Sequence, residues 1–264
     1  MKIRPVRLKE FLSKANVPTS DLLPLVHSTS SGKLFDVFGS ESLLASACKV
    51  FKGEELCYLF MGRPAYKVRR DDSPSEWQLP AVFVLRFPDN HAGIKRIFPF
   101  DSGAFSDRRL PNYITCFGLD NFNLGSDPTL VGKIISIFFE DHRRYLGRRA
   151  VGIEELKKIH TMDATHQEIN ALARLFLEHS GKDADDRAAA IEIQMTANVP
   201  LTSANVLGIV MPEEYARVPG FRESISHITT TFETYGLHPS GTEGYYGTIY
   251  DSVYRIYRKA GIHF

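Results

Sequence analysis

The chain has 264 residues, enough to bury a large core in one or two domains. Its 32 Lys and Arg against 31 Asp and Glu leave a net charge of +1, so bulk charge demands neither nucleic acid nor an anionic membrane as a partner. The three cysteines, Cys48, Cys57 and Cys116, are odd in number and lack Cys-x-x-Cys spacing, which argues against a disulfide framework or a zinc ribbon and makes a reducing cytoplasm the expected setting.

No apolar run of the signal-peptide kind follows Met1-Lys2-Ile3-Arg4, and no stretch approaches the ~18 apolar residues of a membrane span, so no membrane partner is expected. Residues 7–15 have the pattern of a short amphipathic helix. Leu22 to Thr29 reads as a strand, Lys33 to Phe38 as a helix, and Ser42 to Ala47 as a small strand or turn. Leu56-Cys57-Tyr58-Leu59-Phe60-Met61 is a strand rich in aromatic and apolar residues. Gly62 and Pro64 break it, which sets Arg63 and Tyr66 in a turn or loop. Arg69 to Gln78 reads as an exposed loop. Ala81 to Phe87 is a continuous apolar run of strand length, and Ile94 to Phe100 can pair with it through the turn residues Asp89 to Gly93.

The middle of the chain reads as helical. Pro128 to Tyr145 carries Leu130, Ile134, Ile137 and Phe138 at helical spacing, with Asp127 as N-cap and Pro128 at the first helical position. Gly152 to His160 and Thr165 to His179 follow as helices, the latter ended by Gly181. Residues 188–193 and 206–211 read as strands, Pro212 to Ala216 as a turn, Ile225 to Tyr235 as β-leaning, and Tyr246 to Lys259 as a terminal helix. Strands early and late around a helical insert at about 127–181 predict one α+β domain over residues 1–264.

Several motifs are absent. Gly32-Lys33 lacks the upstream glycine of a phosphate-binding loop, and there is no His-Glu-x-x-His or Gly-x-Ser-x-Gly. His160 and His166 are six apart, off-register for one helix face, and no metal site is expected. Phe100-Asp101-Ser102-Gly103-Ala104 resembles the Asp-Ser/Thr-Gly loop of aspartic proteases, whose paired aspartates share a proton. With one copy only, that reading requires a homodimer using Asp101. Its plainer alternative is a turn in which Asp101 bonds its own loop.

Glu192 stands inside the run Ala188 to Gln194. Alternation puts Ala190, Glu192 and Gln194 on one face and Ile191 and Ile193 on the other. A carboxylate there must be solvated in a cleft or paired, with Arg187 as the nearest partner in sequence.

Three separated features combine: His27 followed by Ser28-Thr29, the strand bearing Tyr58 that runs into Gly62-Arg63-Pro64-Ala65-Tyr66, and the late strand bearing Glu192. Their order and spacing resemble the His–Tyr–Glu arrangement of the ADP-ribosyltransferase superfamily, most closely bacterial members related to the DNA-targeting ADP-ribosylating toxins. The resemblance implies a split antiparallel β-sheet and an NAD-consuming transferase, a toxin or defence effector, with NAD as substrate; it leaves the acceptor open among a macromolecule (protein or nucleic acid), a small molecule and water. An inactive NAD- or nucleotide-binding interaction module is the alternative with the same fold. By the resemblance, His27, with Ser28 and Thr29, binds the adenosine-side ribose and backbone of NAD. Tyr58 or Tyr66 stacks on nicotinamide. Glu192 stabilises the oxocarbenium-like transition state, and Arg63 holds the pyrophosphate. The chain departs from the pattern where Ala190 and Gln194 flank Glu192 and no Glu/Gln-x-Glu pair is present. The reading also requires Glu192 and His27 to face one cleft rimmed by Arg63 and Tyr66, with Asp101 approaching it. It further expects the 206–211 strand to pair antiparallel with the strand of Glu192.

Overall fold

The computed structural model describes residues 4–66, 74–88, 91–178 and 186–264. The readings at 1–3 and 179–185, and parts of the loops at 69–78 and 89–93, lie outside the described residues.

The strands are β1 (Leu25–Ser30), β2 (Ser42–Leu43), β3 (Ser46–Ala47), β4 (Glu55–Met61), β5 (Pro80–Leu85), β6 (Ile94–Phe98), β7 (Glu192–Met195), β8 (Val199–Pro200), β9 (Val206–Pro212) and β10 (Phe232–Tyr235). The helices are α1 (Leu8–Lys14), α2 (Leu34–Ser40), α3 (Ser102–Ser106), α4 (Asn112–Thr115), α5 (Thr129–Phe138), α6 (His142–Leu146), α7 (Ile153–Ile159), α8 (Gln167–Leu177), α9 (Glu213–Ala216), α10 (Phe221–Ser224) and α11 (Tyr246–Lys259). The main sheet runs β10-β9-β5-β1-β4-β7-β6, with β3 added to β4, while β2 and β8 form a separate pair. Every pairing is antiparallel except β10 with β9. The α+β reading therefore holds, with a mixed and mostly antiparallel sheet. Among the described residues no helix is long and apolar enough to cross a membrane.

Cross-strand partners fix the two faces. Val26, Phe60 and Glu192 stand opposite one another across β1, β4 and β7, and Tyr58 stands opposite Gln194. Their side chains share one face, because alternate residues of a strand point the same way. Leu25, Leu59, Met61, Phe83 and Ile193 lie on the other face, in a core shared with Leu12, Ile134, Phe138, Leu172 and Phe176 of the helices. On the Glu192 face, Ile249, Val253 and Ile256 of α11 pack on Val26, Val82, Val84 and Val210. The terminal helix thus covers the β9-β5-β1 half of that face and leaves the β4-β7-β6 half to other residues. A small cluster of Phe60, Ala65 and Ala190 lies there.

Sequence and structure part at several elements. The expected helix 128–145 is broken into α5 and α6. Glu140 adopts φ 68°, and Asp141 starts a new helix by accepting from Arg144 N at 2.7 Å. The expected start of α5 moves by one residue: Pro128 is the cap position, and Asp127 accepts from Thr129 N and Oγ1. The strand expected at 188–193 begins only at Glu192, because Asp186–Ala189 is a 3₁₀ turn anchored through Asp186 and Arg187. Of Ile225 to Tyr235 only β10 is extended.

The 206–211 strand is the largest departure. It pairs with β5 and β10, whereas β7 pairs with β4 and β6. The link between β7 and β9 contains β8, which bonds β2 and carries the chain away from β7. A short connection permits a hairpin but does not impose one.

Candidate functional site

The strands bearing His27, Tyr58 and Glu192 are consecutive neighbours, β1-β4-β7. β1 and β4 pair only at Leu25–Met61 and Val26–Phe60. Beyond that point β1 continues with β5 as far as Ser30–Pro80, and β4 continues with β7 as far as Cys57–Met195. His27 lies where the ladder stops. Its backbone pairs with Phe83, so its side chain leaves β1 in the row alternate to the one holding Glu192. The expectation that both residues point to one face is corrected to that extent. The His27 ring spans the opening between the strands, and its Nδ1 lies 2.8 Å from the Tyr58 carbonyl oxygen. A carbonyl only accepts, so Nδ1 carries the proton, and in the neutral ring Nε2 is an acceptor. Burial lowers the His27 pKa, which favours that neutral form.

Tyr58 is half-buried, and its hydroxyl lies 2.6 Å from Cys48 Sγ. Burial raises its pKa well above the ordinary phenol range, so it is a neutral hydroxyl. Glu192 is only 1% exposed. Its carboxyl group is held by three donors: Ser102 Oγ to Oε1 at 2.8 Å, Ser102 N to Oε2 at 3.0 Å, and Gln194 Nε2 to Oε1 at 2.6 Å. Arg187, the partner nearest in sequence, is instead 3.5 Å from Asp101. Burial, and next the charge of Asp101, push the Glu192 pKa up to about 8, against the pull of its hydrogen bonds.

Asp101 caps α3, accepting from Ala104 N at 2.7 Å. This is the turn role its loop residues favour, and with Arg187 beside it the arrangement is unlike two aspartates sharing a proton. The same turn brings Ser102 to Glu192, so Asp101 does approach the site from the end of β6.

The other expected residues go elsewhere. Arg63 is fully buried and ion-paired with Asp186. Its Nε also donates to Tyr250 Oη at 3.1 Å, and its Nη1 donates to Ala189 O at 3.3 Å. It ties the turn after β4 to the turn before β7 and to α11, and it is corrected from pyrophosphate ligand to internal pin. Tyr66 is buried too, and its hydroxyl donates to Thr242 O at 3.0 Å. It belongs to the core under α11 and is corrected from the rim of the cleft. Tyr58 is therefore the tyrosine beside Glu192. Ser28 Oγ donates to Pro64 O, and Thr29 continues β1 opposite Ala81. Among the described residues no group of three His, Cys, Asp or Glu is placed to hold a metal ion.

Ser102 and Gln194 escaped the sequence reading as site residues. A signal existed for Gln194, since a residue two past Glu192 shares its face. Ser102 had none, because its contact spans 90 residues of chain. Neither a protein-family model nor a curated protein matches the chain.

Proposed function

We propose that the chain cleaves NAD between nicotinamide and ribose and transfers the ADP-ribosyl group to an acceptor, in a fold of the ADP-ribosyltransferase kind. The observation that carries this reading is the linkage of three residues from distant parts of the sequence. His27 reaches the backbone of Tyr58, Tyr58 stands opposite Gln194, and Gln194 donates to Glu192. In this reading the ionised Glu192 stabilises the positive charge that grows on the ribosyl carbon as nicotinamide leaves. The neutral Nε2 of His27 accepts from a ribose hydroxyl. The Tyr58 ring offers its face to nicotinamide.

Incubation with NAD, followed by assay of free nicotinamide, tests the proposal. Glu192→Gln keeps the shape but removes the anion, and is expected to lower release by about 10²–10³-fold, the usual loss for one electrostatic stabiliser. Equal release from both proteins would remove Glu192 from the mechanism. Label carried on the adenosine half of NAD then reports whether protein, nucleic acid or water takes the ADP-ribose. For a toxin or defence effector, expression of the wild type arrests growth of the host cell and Glu192→Gln relieves the arrest.

The second reading is an NAD- or nucleotide-binding module without turnover. The burial of Glu192, which favours its uncharged form, is the observation on its side. It predicts that NAD raises the melting temperature while no nicotinamide is released.

A further inference from the structure

Gln194 is fully buried, yet it uses only half of its amide. Its Nε2 donates to Glu192 Oε1 at 2.6 Å and to Ser102 Oγ at 3.2 Å. Ser102 Oγ in turn donates to the same Glu192 oxygen at 2.8 Å. The three side chains close a ring of hydrogen bonds, while Gln194 Oε1 is buried with no partner. A buried acceptor left unmade is costly, so its presence calls for an explanation. The two ends of the amide have opposite hydrogen-bonding character. Toward a carboxylate only the NH₂ end is compatible; toward a carboxylic acid the oxygen end can accept the acid proton, in a neutral bond weaker than the charge-assisted one, so the amide favours the ionised form on balance.

We propose that Ser102 and Gln194 are positioning residues for Glu192, and that the Gln194 amide turns over when Glu192 gains or loses its proton. With Glu192 ionised, the NH₂ group faces it and the amide oxygen points away. With Glu192 protonated, its O–H donates to Gln194 Oε1 and the NH₂ group points away. Ser102 is common to both arrangements, and its backbone N–H anchors Oε2 in each. The other polar groups around Glu192 are fixed by partners of their own. Asp101 is held by Ala104 N and Arg187, and Tyr58 by Cys48. Arg96, opposite Gln194 on β6, is paired with Glu54 and lies over the Phe51 ring. The amide of Gln194, with its unpartnered oxygen, can thus answer a change of charge on Glu192. A positioned anion requires its donors to stay in place during reaction, and two side chains sharing one oxygen supply that.

The function of these residues rests on the transferase reading, but their effect on Glu192 can be measured without it. Carbon-13 labelling of glutamate carboxyl groups follows the Glu192 titration by NMR, assigned with Glu192→Gln. Gln194→Met keeps the length of the side chain and removes the donor. The titration is expected to move up by about one pH unit, the size of one lost hydrogen bond to a charged group. Ser102→Ala is expected to do the same, and Ser102→Thr, which restores the hydroxyl, to undo it. Nicotinamide release from NAD is expected to lose about tenfold in kcat in the Met and Ala variants, with KM little changed and the pH profile moved to the alkaline side by the same step. An unmoved Glu192 titration in Gln194→Met, in a protein that melts as the wild type does, overturns the proposal even if the wild type is active. A titration that moves in a wild type that releases no nicotinamide leaves the positioning intact and overturns the transferase reading alone.

Discussion

At the scale of single residues, the Glu192 carboxyl group joins stability to the proposed chemistry. Its pKa is raised above the ordinary value of 4.5, to about 8, chiefly by burial. Between those values the folded protein holds a proton that the unfolded chain has released, so this group makes stability fall as pH rises. The loss starts near the unfolded value and is complete above about 8. Glu192→Gln cannot lose a proton. Its melting temperature is therefore expected to gain on that of the wild type steadily from acidic to mildly alkaline pH, and thermal melts across that range check it. A difference that does not change with pH contradicts the raised value. The proposed catalysis runs the other way, because that reading requires an anion at the ribosyl carbon. Nicotinamide release by the wild type is expected to increase with pH through the same window.

Arg63 belongs to this scale as well. Its guanidinium is fully buried against Asp186 and Tyr250. Arg63→Met removes one partner and strands the other charge, which typically costs about 3–5 kcal/mol. Denaturant titration is expected to show that loss. Asp186→Asn is expected to behave likewise, although it keeps Arg63 in place. A pyrophosphate ligand would instead leave stability alone and weaken NAD binding. The family resemblance implied the ligand, with Arg63 read as lying in the turn made by Gly62 and Pro64. Its partner lies 123 residues away, and nothing local in the sequence signals it.

At the scale of elements, legibility tracked locality. The strands around Tyr58 and Val82, the helices α7 and α8 of the insert and α11 follow from periodicity, a property of adjacent residues, whereas the break between α5 and α6 at Glu140 does not. The alternation of Ala190 and Glu192 against Ile191 and Ile193 also held: Ala190 packs with Phe60 and Ala65, while Ile191 and Ile193 lie in the main core. Partner choice between strands was not legible. β9 looked like the return stroke of a hairpin with β7, yet it adds to β5, 121 residues earlier by the pairing of Val206 with Leu85. Two glycines show how tightly the elements are held. Gly62 ends β4 with φ 67°, and a Cβ there would also stand 2.6 Å from Leu23 Cδ1. Gly132 lets α5 pass against the backbone of Ser20, where a Cβ would collide with the carbonyl oxygen. Gly132→Ala is expected to destabilise by about 1–3 kcal/mol, as overpacked sites do, and a chemical melt measures it. No loss would mean that α5 has room to move.

At the scale of the whole molecule, the terminal helix α11 closes the fold over the sheet. Tyr250 meets the Arg63–Asp186 pair, and Tyr257 Oη donates to Gly62 O at 2.8 Å. Deleting residues 246–264 uncovers the valines of β1, β5 and β9 and removes two partners of the turn after β4. The truncated protein is expected to be insoluble or to bind a dye for exposed apolar surface strongly. A soluble fragment with a cooperative melt would contradict that role.

The place of β7 between β4 and β6 carries one more consequence, for the way the chain is made. Both neighbours of β7 have been synthesised by residue 98, whereas β7 itself starts at residue 192. Throughout the synthesis of the helical insert the growing sheet has a vacant slot bordered by two unpaired strand edges, the kind of surface on which chains aggregate. Glu192 arrives with the strand that fills the slot, while β9, β10 and α11 are still to be made. A nascent chain therefore holds no complete site until that slot is filled, and the proposed chemistry waits on the pairing of β7 with both of its neighbours.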